Sequence, residues 1–221
     1  MVDRLRRLLL GPGTSVADRD TGRALDQMRR DVKQGRKNEL PLADLRPVLI
    51  PSPILAHGKW VGPYHYFPEL PVSLTWAYLR PHGTLLYLSQ NVAESLDQQA
   101  ADWRRKAREA LTRDFSVKPW THVFRGASGA TEAVALMHDD GLGPSRLLCA
   151  HELGAQFPAG FTFFVPERSC ALVLAATASA EVVARVEQVV QKCFAAADVP
   201  MSKSGFRHEM LLAALTEVGE I

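Results

Sequence analysis

VSLTWAYLRPHGTLLYLS, residues 72–89, contains a strand, a reversal and a second strand. Over 72–79, Val72, Leu74, Trp76 and Tyr78 fall on one face, and Ser73, Thr75 and Ala77 on the other. That period of two is the pattern of a β-strand. PHG reverses the chain into TLLYLS (84–89), which predicts a hairpin. A helical pattern follows at about 97–114, with Ala100, Trp103, Ala107, Ala110 and Leu111 on one side.

The same unit recurs twice. WTHVFR (120–125), the turn GASGA and TEAVALMH (131–138) precede a helix starting at Pro144. FTFFV (161–165), the turn PER and SCALVLA (169–175) precede a helix from about 179 that aligns Val182, Val186, Val189, Val190 and Cys193. Hairpins join neighbouring antiparallel strands, and each helix can cover a sheet face. The expected fold is therefore α+β, a mainly antiparallel sheet built from three strand–strand–helix units, with N-terminal helices.

Outside these units the chain changes character. Residues 2–10 and roughly 15–34 read as helices separated by GPG at 11–13, and residues 1–37 form a basic helical arm. Ten Lys/Arg against five Asp give that arm a net charge of +5, which leaves −3 on the rest of a chain of net +2. Such a patch can meet phosphates. No nucleic-acid reading motif accompanies it, so nucleic acid is not the expected partner. Residues 38–71 read as a proline- and aromatic-rich loop region around the short apolar run PVLI (47–50), and residues 72–221 as the α+β core. With 221 residues, 47% hydrophobic, the chain is long enough for one substantial core, so one globular domain is expected overall.

Cys149, Cys170 and Cys193 are odd in number and form no CxxC pair. Neither a zinc knuckle nor a disulfide framework is expected, and Cys170 and Cys193 sit in apolar patterns normal for buried thiols. The N-terminal apolar run of three leucines is too short for a secretory segment, and nothing has the length of a membrane span. The expected setting is soluble, reducing and cytoplasmic, with no membrane contact.

The most chemical-looking stretch is MHDDGLGPSRLLCAHEL (137–153). Val134, Leu136, His138 and Asp140 share one side of the preceding strand, DDGLG reads as a turn, and Gly143–Pro144 as a helix start. Cys149 and His151 are two residues apart, about 200° around a helix, so they do not form a nucleophile–base pair. His151 shares a face with Leu147 and Leu148 and is expected at the edge of the core. HELGA lacks the second histidine of HExxH, and His138 with Asp140 supplies only two of the three ligands a catalytic zinc needs, so no metal and no cofactor is expected. GPSRL lacks the last glycine of a nucleophile elbow, so Ser145 reads first as a first-turn hydroxyl that satisfies a free N–H. RGASGAT (125–131) joins two strands and reads as a hairpin turn.

HGKWVGPYHYFPELP (57–71) gathers Trp60, Tyr64, Tyr66 and Phe67 with His57 and His65 in one loop. Aromatic loops cover sheet faces first and bind ligands second. As ligand-binding candidates we take Trp60, Tyr64 and Tyr66, with Arg168 from the PER turn.

From about 84 to 205 the order of features resembles a bacterial family, domain of unknown function 1444. The carriers are ADWRRKAREAL, DDGLGPSRLL, FFVPERSCALV and PMSKSGF, with Asp140, Ser145, Arg146, Pro166 and Arg168 as the matching positions. The resemblance implies a fold and brings no established activity, cofactor or catalytic residues. The expected function is a non-catalytic module that binds a small molecule or another protein. The alternative is a hydrolase of small esters or phosphoesters, with Ser145, His138, Asp140 and Arg146 gathered under the aromatic loop.

Overall fold

The computed structural model describes residues 41–56, 60–80, 83–198 and 200–218. The expected helices over 2–10 and 15–34, and His57, lie outside them. The fold is α+β, and its antiparallel strands form two sheets rather than one.

The first sheet is built on β3 (Val72–Arg80). β1 (Leu45–Pro51) runs along one edge, from Leu45 opposite Tyr78 to Pro51 opposite Val72. β2 (His65–Tyr66) and β4 (Thr84–Tyr87) share the other edge. The second sheet orders β5 (His122–Arg125), β6 (Thr131–Leu136), β8 (Cys170–Ala175), β7 (Phe161–Glu167) and β9 (Phe206–Arg207), all antiparallel.

β1 lies inside the region read as loop, and every one of its residues is buried. Its prolines hid it. Leu49 directs its N–H away from β3, to Ser145 Oγ at 3.0 Å. Pro47 and Pro51 share that parity, so they fall where an N–H would point out of the sheet and no ladder bond is lost. From Val72 to Tyr78 both faces of β3 are buried, Ser73 and Thr75 included. Their hydroxyls are satisfied there, Ser73 with Ser52 Oγ at 2.9 Å and Thr75 by donating to the Pro63 carbonyl at 2.7 Å.

After α1 (Pro53–Ala56), the helix read over 97–114 is two helices, α2 (Gln90–Gln99) and α3 (Trp103–Val117). Ala100 adopts an extended φ of −149°, which breaks the periodicity, and Asp97 bridges the break by accepting from Trp103 Nε1 at 2.8 Å. The helix expected from Pro144 is likewise divided into a 3-10 turn (Pro144–Leu148) and α4 (Ala150–Gln156). The break at Cys149 resets the helical phase, so His151 is exposed instead of lying at the core edge. α5 (Ala180–Ala196) and α6 (His208–Glu217) complete the chain.

The second sheet is buried on both faces. Val134, Leu136, Val165, Ala171 and Val173 meet a core shared with the first sheet and α3. Ala133, Ala135, Leu172 and Leu174 meet a second core closed by Val182, Val186, Val190 and Cys193 of α5. Ser179 starts α5, accepting from the Val182 N–H and donating to Glu132 at the head of β6.

Candidate functional site

β6 ends at Leu136, and the chain turns immediately into the chemical-looking stretch. His138 is 2% exposed, and its ring is hydrogen-bonded to the Pro119 carbonyl. Burial, then the Arg146 charge, push its pKa down to about 4, against the opposing pull of Asp140. The imidazole is therefore neutral at ordinary pH. Its Nε2 has no hydrogen-bond partner among the described residues.

The Asp139–Gly141 turn sits back to back with the β3–β4 turn. Gly141 and Gly83 have φ of +74° and +73°, and a Cβ on Gly83 would strike the Asp139 carbonyl. Asp140 Oδ1 accepts from the Leu142 N–H at 2.9 Å and from Arg146 Nη1 at 3.1 Å, while Oδ2 accepts from Nη2 at 2.7 Å. Burial alone would raise the Asp140 pKa, but the guanidinium outweighs it and holds the carboxyl below its ordinary value. Six positions apart, the two side chains form a bidentate pair. Arg146 is 2% exposed, and its Nε has no partner among the described residues.

Ser145 was expected to satisfy an N–H of its own first turn. It satisfies one 96 positions away instead, accepting from Leu49 on the outer edge of β1. Among the described residues no hydrogen bond joins Ser145 to His138. The four candidate catalytic residues thus share one turn, with Ser145 facing β1, Asp140 and Arg146 neutralising each other, and His138 held on Pro119. Cys149 nearby is a buried thiol whose pKa is pushed up to about 12, first by burial and then by Glu152, the reverse of an activated nucleophile.

The aromatic loop divides by residue. Phe67 is buried, while Val61, Tyr64 and Tyr66 point outward. Trp60 packs edge-on against Tyr87 with ring centroids 5.0 Å apart, and its buried Nε1 has no acceptor among the described residues. Gly62 lets this loop touch the chain just past β4, since a Cβ there would overlap the Leu88 carbonyl. Arg168 is exposed in the turn between β7 and β8, and its charge reaches Tyr87. Burial raises the phenol pKa and the guanidinium pulls it back. That turn is fixed to the 3-10 turn because a Cβ on Gly143 would lie 2.7 Å from the Ser169 carbonyl. Trp60 therefore packs on Tyr87 and the Arg168 charge acts on that phenol, whereas Tyr64 and Tyr66 are exposed. Tyr87 was missed because in TLLYLS it looks like one more strand residue.

An open cleft of about 310 Å³ lies elsewhere, with Phe115, Trp120, Glu152 and Gln156 among its walls. Pro119, which also lines it, supplies the carbonyl bonded to His138. Among the described residues no cluster of three or more His, Cys, Asp or Glu is placed to hold a metal. No helix among them is long and apolar enough to cross a membrane. No family model, curated protein or solved structure matches the chain.

Proposed function

We propose that the chain is a non-catalytic binding module whose ligand site is the junction of Trp60, Tyr87 and Arg168. The observation that carries this reading is the Trp60 indole N–H, buried beside Tyr87 with no acceptor among the described residues, where the exposed Arg168 guanidinium also acts on the phenol. A buried donor without a partner is uncommon and calls for one. Tyr64 and Tyr66 lie on the same loop and would extend the contact outward. The likeness to domain of unknown function 1444 belongs to the same reading, with Asp140, Ser145 and Arg146 as scaffold. Three unpaired thiols suit a reducing cytoplasmic setting.

A thermal-shift screen of the full chain against phosphate esters, short acyl compounds, nucleotides and aromatic metabolites tests the site. A ligand at a hundred times its dissociation constant adds about 2.7 kcal/mol. In a chain of this size that raises melting by about 5–10 °C. The shift should disappear in Trp60→Phe, which removes the N–H, and in Arg168→Ala. A hit that survives both substitutions would place the ligand elsewhere.

The alternative is an ester or phosphoester hydrolase, supported by the gathering of His138, Asp140, Ser145 and Arg146 in one turn. It requires turnover that Ser145→Ala abolishes and that the Trp60 and Arg168 variants retain.

A further inference from the structure

Cys170 and Cys193 are separated by 23 positions, yet their sulfurs lie 3.7 Å apart. Cys170 opens β8, and Cys193 is the last buried residue of the α5 stripe, so the two thiols face each other across the second core. Both are at most 2% exposed. Cys149, the third cysteine, belongs to the other core. A disulfide needs the sulfurs at about 2.05 Å, a closure of under about 2 Å that small side-chain rotations can supply. The two thiols are hydrogen-bonded to each other.

We propose that Cys170 and Cys193 are an internal dithiol that closes to a disulfide in the presence of a small-molecule disulfide, fastening α5 to the second sheet. Access comes from α5, which ends at Ala196, three residues beyond Cys193. Opening of this terminal turn exposes Cys193. Its thiol loses a proton to solvent, and the thiolate attacks one sulfur of oxidised glutathione. The S–S bond of glutathione breaks, giving a mixed disulfide on Cys193 and one glutathione thiolate. Cys170, after losing its own proton, attacks the Cys193 sulfur and expels the second glutathione. In balance, two protein thiols and one oxidised glutathione give one protein disulfide and two reduced glutathiones. The enclosure of both sulfurs makes the step slow and dependent on opening, so the pair acts as a lock rather than a fast sensor.

The experiment incubates the full chain with oxidised glutathione, and in parallel with reduced glutathione, in buffer and in sub-denaturing urea. Samples are quenched in acid, unfolded, alkylated and peptide-mapped. The expected product has one alkylatable thiol, Cys149, and a linked pair of peptides carrying Cys170 and Cys193. Closing a loop of this size should raise melting by about 5–10 °C. Cys149→Ser should close normally. Cys193→Ala should yield no internal link, and if it fails to fold, the map of the wild-type chain still decides. Three alkylatable thiols after both oxidising incubations would overturn the proposal. So would a link to Cys149, a disulfide between two chains, or a glutathione adduct on Cys193 that never resolves.

Discussion

His138 shows how burial sets the charge of a single residue and, through it, the pH response of the fold. Its folded pKa of about 4 lies below the ordinary 6.5, so between those values the unfolded chain takes up a proton that the folded chain refuses. Stability is unaffected by this group above pH 6.5, falls as pH drops from 6.5 toward 4, and is fully reduced below 4. The loss is on the order of 3 kcal/mol. Asp140 extends the decline in acid: its depressed folded pKa gives stability above the ordinary carboxylate value that is lost as pH falls through the folded one. Urea midpoints between pH 7 and 4.5 should slope clearly in the wild type and less in His138→Gln, whose amide can still reach Pro119. Parallel curves would show that His138 is not the source. Ser145→Ala strands the Leu49 N–H on a buried strand edge and should cost about 1–3 kcal/mol. An unchanged midpoint would mean that water replaces the hydroxyl there. Of these residues, Asp140 and Arg146 pair over a separation of only six positions, and the sequence reading placed both in one stretch. The Ser145–Leu49 contact was not, since nothing near either residue encodes a partner 96 positions away.

The hairpins were legible at the level of elements because alternation and turn chemistry are local, and 72–89, 120–138 and 161–175 all pair as expected. β1 was not, because its prolines signal loop unless the strand is known to lie at an edge. Two glycines separate packing demand from helix propensity. Gly143 is held between two backbone carbonyls, 2.5 Å and 2.7 Å from a would-be Cβ, and Gly143→Ala should destabilise by about 1–3 kcal/mol. Gly154 lies within α4 with nothing near its would-be Cβ. Gly154→Ala should therefore stabilise by about 0.5–1 kcal/mol. Denaturant midpoints moving in opposite directions would support both placements, and a stable Gly143→Ala would mean that the 3-10 turn can shift away from the Ser169 carbonyl.

Across the whole molecule, the second sheet belongs to two cores at once. The four tryptophans all pack on the first core, while α5 closes the second. If the shared sheet couples them, the molecule unfolds as one unit. Val186→Ala should then cost about 2 kcal/mol. Tryptophan fluorescence, reporting the first core, should record the same shift as helical circular dichroism. A fluorescence transition left in place while helicity melts earlier would instead make α5 a separately unfolding element.

Local pattern in the chain was sufficient for the α+β class, the three hairpins, the buried stripe of α5 and the aromatic character of the 60–67 loop, because each depends on spacings within a few residues. Only the tertiary structure decided that there are two sheets, that β1 is an edge strand secured by Ser145, that Trp60 packs on Tyr87, and that Cys170 faces Cys193. Those features depend on which apolar faces bury against which. Burial is non-directional, so the spacing of residues within one segment does not specify the segment it will pack against.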